Sequence, residues 1–206
     1  MANTDKKTAQ LNLYIKFLKE RLFFEPDSAI LHYNLGLAYS HKDMLDEAIS
    51  EIKQAIECEP NLPPAYVNLG GLYARKGEPE LSVAANLKAI EIDPDFAPAH
   101  SNLALGYMQA GDMEKTVLHS KKALELAPGS PQAYSLLAAA YLQAGDAQAA
   151  AEVSRQMIDQ NETFAPAHYN LGLALQAMGE AEEAEKYMAR AKQLGYPAQA
   201  GTCDPA

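Results

Sequence analysis

The 206-residue sequence predicts an all-α solenoid of five stacked helix-turn-helix hairpins behind an N-terminal capping helix. The first observation behind that prediction is a repeat: HYNLGLA stands at 32–38 and 168–174, and FAPAH at 96–100 and 164–168. The offsets, 136 and 68, are both whole multiples of 34. A fixed period of this length marks arrays whose units bury their apolar faces only against their neighbours. The second observation is helical spacing within each unit, as in Ala99, Leu103, Gly106 and Tyr107 and again in Val117, Ala123, Leu124 and Leu126.

In chain order, residues 1–28 come first, with residues from about 8 to 24 resembling the second helix of a degenerate repeat that covers the first hairpin. Five repeats follow at 29–62, 63–96, 97–130, 131–164 and 165–196. Their seventh position is always leucine: Leu35, Leu69, Leu103, Leu137 and Leu171. The eighth is always small: Gly36, Gly70, Ala104, Ala138 and Gly172. The eleventh reads Tyr39, Tyr73, Tyr107, Tyr141 and Leu175, the twentieth Ala48, Ser82, Thr116, Ala150 and Ala184, and the twenty-seventh Ala55, Ala89, Ala123, Met157 and Ala191. Small residues at these places let helix axes approach to roughly 8–10 Å. Lys192 replaces the Ile56, Ile90, Leu124, Ile158 series at the last face, no separate closing helix is evident, and residues 197–206 read as a flexible tail.

Breaks between helices follow from backbone chemistry. Gly77, Gly111, Gly145 and Gly179 recur where the first helix of a repeat must close in a left-handed conformation, and Asp43 departs from them in the first repeat. Pro26, Pro60, Pro94 and Pro128 mark the ends of second helices, because proline lacks the amide that continues a helix. Pro64, Pro98 and Pro166 sit in the first turn of the next helix, where no amide is needed.

The small residue at eight, the aromatic at eleven, the alanines at twenty and twenty-seven and the proline at thirty-two together resemble the tetratricopeptide repeat, over about residues 29–196. Departures are His32, Tyr66, His100, Tyr134 and His168 at the fourth position, where that family usually has tryptophan, and Glu162 and Tyr196 in place of proline. The resemblance implies a right-handed solenoid whose first helices line a concave groove, with ligands meeting positions two, five, six, nine, twelve and thirteen. It also implies a protein-interaction scaffold.

Position six then reads Asn34, Asn68, Asn102, Leu136 and Asn170. Asparagine disfavours a helix interior by roughly 0.5 kcal/mol relative to alanine, so a repeated asparagine requires a compensating role. A carboxamide offers both donor and acceptor, and a row of them can bond the main chain of an extended peptide whatever its side chains. The row is similar to the asparagine ladder of the O-linked N-acetylglucosamine transferase family; the other reading is that these groups bond water or each other's repeats. Around them the expected lining includes Tyr33, Leu37, Arg75, Leu105, Met108, Gln109, Leu142, Tyr169 and Leu173, with Leu136 either an apolar notch or drift in the fourth repeat, and Arg75 a selector of an acidic side chain. The lysines and arginine with which co-chaperones of this fold clamp a terminal carboxylate are replaced by Tyr33, Leu37 and Pro98, so no preference for such termini is expected.

Composition narrows the remaining classes. A net charge of −10 repels phosphate backbones and anionic lipid, so nucleic acid is not an expected partner. No apolar run is suited to a membrane span or a signal peptide, and a cytoplasmic location is expected. Cys58 and Cys203 form no metal or disulfide framework, and His32, His100 and His168, two repeats apart, read as packing residues rather than as a metal site. No P-loop, dinucleotide fingerprint or nucleophile elbow is present, so neither enzymatic activity nor a cofactor is expected. The sequence thus predicts an adaptor for a protein or peptide partner, and as its rival a structural component that associates with itself through the ends or convex face of the stack.

Overall fold

The structure, a computed structural model, describes residues 2–197 and, of residues 2–6, the backbone alone. The tail predicted at 197–206 lies, beyond residue 197, outside the described residues. Those residues form eleven α-helices and no strand. They fall into two compact units, one through Gly106 and one from Tyr107, so that the division lies inside a helix.

The first unit contains α1 (Ala2–Phe24), α2 (Ala29–His41), α3 (Leu45–Cys58), α4 (Pro63–Lys76), α5 (Pro79–Ile92) and most of α6 (Ala97–Gln109). Here α2 packs on α3, α3 on α4 and α4 on α5, an antiparallel alternation with one core running through Leu35, Tyr39, Ile52, Leu69 and Tyr73. Packing at position eight explains its small residues. A Cβ on Gly36 would stand 2.8 Å from Ile52, and one on Gly70 only 2.2 Å from the Asn86 Nδ2.

The helix α1, expected as a cap, repeats the chemistry of a second helix one period early. Ile15 and Leu18 of α1 are buried as Ile49 and Ile52 of α3 are. The Lys19 ammonium stands 5.6 Å above the Tyr39 ring, just as Lys53 stands 5.8 Å above that of Tyr73. α1 ends two residues before Pro26 as α3 ends two before Pro60. The helix extends further toward the N-terminus than the degenerate repeat suggested, starting at Ala2 rather than near residue 8.

The second unit contains the end of α6 followed by α7 (Met113–Leu126), α8 (Pro131–Gln143), α9 (Ala147–Gln160), α10 (Ala165–Ala177) and α11 (Ala181–Gln193). α7 packs on α8, α8 on α9, α9 on α10 and α10 on α11, and across the turn between α6 and α7 Tyr107 stacks on His119 with ring centroids 5.4 Å apart. The apolar clusters run through Tyr134, Leu137 and Met157 and through Leu171, Leu175 and Ala184.

All four predicted glycine breaks take the left-handed conformation, at φ of 79° to 84°. Asp43 takes it too, at φ 61°, which aspartate tolerates better than most residues. Where Glu162 replaces proline, α9 still ends in register at Gln160, because the Asn161 Oδ1 accepts from both the amide (3.1 Å) and the hydroxyl (2.8 Å) of Thr163 and turns the chain. Where Tyr196 replaces proline, α11 is closed instead by Gly195 at φ 87°, with the Tyr196 amide donating to the Ala191 carbonyl.

Candidate functional site

The residues predicted to meet a ligand lie on the first helices of the hairpins, on two separate units. In the first unit these are Tyr33, Asn34, Leu37, Asn68, Arg75, Asn102 and Leu105; Met108, Gln109, Leu136, Leu142, Tyr169, Asn170 and Leu173 belong to the second. First helices of successive hairpins touch, α2 with α4 and α8 with α10, which brings equivalent positions of neighbouring repeats onto one face.

Asn68 shows how that face is wired. Its Nδ2 donates to the Pro64 carbonyl at 2.8 Å and to the Tyr33 hydroxyl at 2.9 Å. A carbonyl can only accept, so the orientation of the amide is fixed by this pairing. Tyr33 therefore accepts from Asn68 and keeps its own O–H hydrogen to give, while the Asn68 Oδ1 keeps its lone pairs. The pair thus presents one donor and one acceptor side by side, the complement of a peptide unit. Burial raises the Tyr33 phenol above its ordinary value and the Asn68 bond lowers it by less, so the hydroxyl keeps its proton at neutral pH.

Asn34, Asn102 and Asn170 are half-buried and make no hydrogen bond to any described residue. Each carboxamide keeps its full set of donors and acceptors. Leu37, Leu105, Met108, Leu142 and Leu173 are half-buried beside them, and Gln109 is exposed.

Three predicted lining residues are otherwise engaged. Leu136 is 7% exposed and buried in the α8 layer, so it forms no notch in the face. A leucine has no polar end to hold at the surface, and burial of its apolar area draws it inward. Arg75 does not wait for an acidic ligand: its Nη1 donates to the Ser40 hydroxyl at 2.7 Å and its Nη2 to the Ser40 carbonyl and to Asp43 at 2.7 Å. The acid it selects belongs to the preceding turn of its own chain, and the contact ties the second repeat to the first. Tyr169 is stacked on Tyr196 with centroids 4.6 Å apart, and burial raises the Tyr196 phenol.

Sequence reasoning missed Ser40 and Tyr196 as members of this surface. Both carried a signal: Asp43 and Tyr196 break the repeat pattern, and both breaks turn out to be contacts. The histidines at position four are structural donors. His32, His100 and His168 each set Nε2 within 2.8–2.9 Å of the carbonyl six residues earlier, at Pro26, Pro94 and Glu162. A carbonyl needs a ring N–H there, which imidazole supplies as indole would.

Among the described residues no group of His, Cys, Asp and Glu could hold a metal ion, and no helix is long and apolar enough to cross a membrane.

Comparison with known proteins agrees with this architecture. The tetratricopeptide repeat model matches residues 29–62 and 63–96, and the model for subunit 3 of the anaphase-promoting complex, or cyclosome, matches residues 103–191. No curated relative matches the chain's sequence. Among solved structures the chain is similar to the MamA protein, at 23% identity and a TM-score of 0.73 over 81% of this chain and 91% of that one. It is also similar to YrrB, described as a tetratricopeptide repeat protein with an unusual peptide-binding site, at 17% identity and a TM-score of 0.73 over 86% and 92% of the two chains. A chain of the anaphase-promoting complex hetero-tetramer Cut9–Hcn1 matches at 17% identity and a TM-score of 0.72, over 91% of this chain and 37% of that one. With the period of 34, the paired helices and the glycine breaks in register, these matches identify the chain as a member of the tetratricopeptide repeat family.

Proposed function

We propose that the chain is a non-catalytic adaptor that holds an extended segment of a partner protein against the first-helix face of its hairpins. The observation that carries this reading is the set of unspent carboxamides on the first helices of each unit. Asn34, Asn102 and Asn170 are half-buried with no partner among the described residues, and Asn68 with Tyr33 leaves one acceptor and one donor open. Asparagine in a helix interior costs roughly 0.5 kcal/mol relative to alanine, and a hydrogen bond from a ligand offsets that cost. A peptide main chain supplies such a bond. The peptide-binding site in the description of YrrB belongs to that protein, but it shows that the same fold can serve such a purpose.

The apolar residues beside the amides give the segment's side chains an adaptable seat, since methionine repacks with little cost. Arg75 is paired with Asp43, and the −10 net charge disfavours acidic peptides.

The test is a peptide selected on the purified chain from a displayed random library, then titrated against the wild type and against the variant in which Asn34, Asn68, Asn102 and Asn170 are all alanine. Each lost hydrogen bond is worth about 0.5–1.5 kcal/mol, so a loss of more than about tenfold in affinity is expected. Equal affinity for the two proteins would refute the role of the asparagines.

A further inference from the structure

We propose that the first unit carries a seat for one large aliphatic side chain of the bound segment, floored by the bare backbone of α4 at Gly71. This deepens the peptide-holding reading and rests on it, adding the side chain by which the segment is chosen.

Gly71 stands inside α4, where glycine is the least favourable residue after proline. Among the described residues, the other glycines inside helices each answer a packing demand. A Cβ would come within 2.8 Å of Ile52 at Gly36, 2.2 Å of Asn86 at Gly70, 3.0 Å of Val83 at Gly106 and 2.7 Å of Met188 at Gly172. A Cβ on Gly71 would meet no atom within 4 Å. Nor does Gly71 take the left-handed conformation of Gly77. Neither packing within the chain nor backbone conformation accounts for it.

The repeat shows what is missing there. Gly71 is the ninth residue of its repeat, and repeats one, three and five hold Leu37, Leu105 and Leu173 at that place, with Ala139 in the fourth. The second repeat lacks a whole leucine side chain on the face that bears the carboxamides.

The gap has walls. On α4, Asn68, Gly71 and Arg75 follow at spacings of three and four, one side of a helix, as Tyr33, Leu37 and Ser40 follow at four and three on α2. The Asn68 amide donates to the Tyr33 hydroxyl at 2.9 Å, and the Arg75 guanidinium to the Ser40 hydroxyl at 2.7 Å. These two ties cross between the helices on either side of Gly71, about 10 Å apart along α4. Between them on α2 stands Leu37, half-buried.

The chemistry of the occupant follows from those walls. Arg75 is spent on Ser40 and Asp43, so it offers no charge to a ligand. The floor is helical backbone and the side wall is aliphatic. A leucine-sized aliphatic side chain gains by leaving water there, whereas a charged one loses its hydration without a partner. The tie at Asn68 and Tyr33 borders the seat, and its open acceptor and donor meet the main chain of the same segment.

The experiment uses peptides selected on the purified chain from a displayed random library. They are titrated against the wild type, Gly71→Ala, Gly71→Leu and the four-asparagine variant, and each protein is melted by circular dichroism. A side chain at residue 71 enters open space and improves helix propensity, so both glycine variants should melt no lower than the wild type. The selected peptides should share one leucine, isoleucine, valine or methionine. Gly71→Leu fills the seat and should raise the dissociation constant by at least about tenfold, and Gly71→Ala by less. Changing the shared peptide residue to alanine should weaken binding to the wild type and leave binding to Gly71→Leu unchanged. A glycine with a purely structural role gives no such combination of undiminished stability and weaker binding. Peptides that bind Gly71→Leu as they bind the wild type, or that share no aliphatic residue, would overturn the seat; if the four-asparagine variant still loses them, the peptide-holding reading stands. Peptides held equally by the four-asparagine variant but weakened by Gly71→Leu would remove the asparagines and keep the seat. A library that yields no binder would overturn both.

Discussion

Gly70 is held to glycine by Asn86. The asparagine is fully buried, donates Nδ2 to the Ser82 carbonyl at 2.8 Å, and leaves its Oδ1 without a partner. Its amide fills the space that a Cβ on residue 70 would need, 2.2 Å away. Gly70→Ala should therefore overpack the α4–α5 contact and cost about 1–3 kcal/mol, read as a lower melting temperature. Adding Asn86→Ala removes the obstructing amide together with an unsatisfied buried oxygen, and the double variant should recover most of that loss. A Gly70→Ala protein that melts like the wild type would show that the two helices are not in the contact described. Position eight was legible in the sequence as a demand for small residues; that its partner in the second repeat is a buried asparagine was not, because a polar residue on a second helix reads as exposed until its neighbours are placed.

At the scale of single elements, helix ends follow backbone conformation more than residue identity. Asp43 occupies the same left-handed slot as Gly77 with only a small change in φ. From this, Gly77→Ala should cost about 1–2 kcal/mol, whereas Gly77→Asn should cost clearly less, since asparagine bonds its own backbone in that conformation. Chemical denaturation of the two variants checks the order, and equal losses would contradict the account. The start of α7 is set by a cap with an ion pair. The Lys115 side chain, 2.8 Å away, and then the Lys115 amide hold the Asp112 carboxyl below its ordinary value. A depressed carboxyl contributes stability that is present above its unfolded value and is lost as pH falls through the folded one. Asp112→Asn keeps a capping oxygen and loses the charge, so its melting temperature should lie below that of the wild type at neutral pH and converge with it under acid. Proline, glycine and repeat register made nearly every helix legible from sequence. The two ends without proline were not, because an Asx turn at Asn161 and a left-handed Gly195 do the same work with weaker signals.

For the molecule as a whole, the repeat specifies far more of the fold than of the site. A period of 34 determines which residues must be small and where chains reverse, since these are properties that every unit shares. What a face binds depends on residues that differ between units. Arg75, expected to face a ligand, bonds Ser40 and Asp43, and Leu136, at an asparagine's place in the repeat, is buried. Asn34 and Asn102 in the first unit and Asn170 in the second keep open carboxamides. The most direct test of their role is a nuclear magnetic resonance titration of the library-selected peptide into the chain, following the side-chain amide signals of the asparagines. The account predicts that the signals of Asn34, Asn102 and Asn170 shift with the peptide's saturation and become protected from solvent exchange. Shifts confined to α1 or to the second helices, with those three amides unmoved, would contradict it.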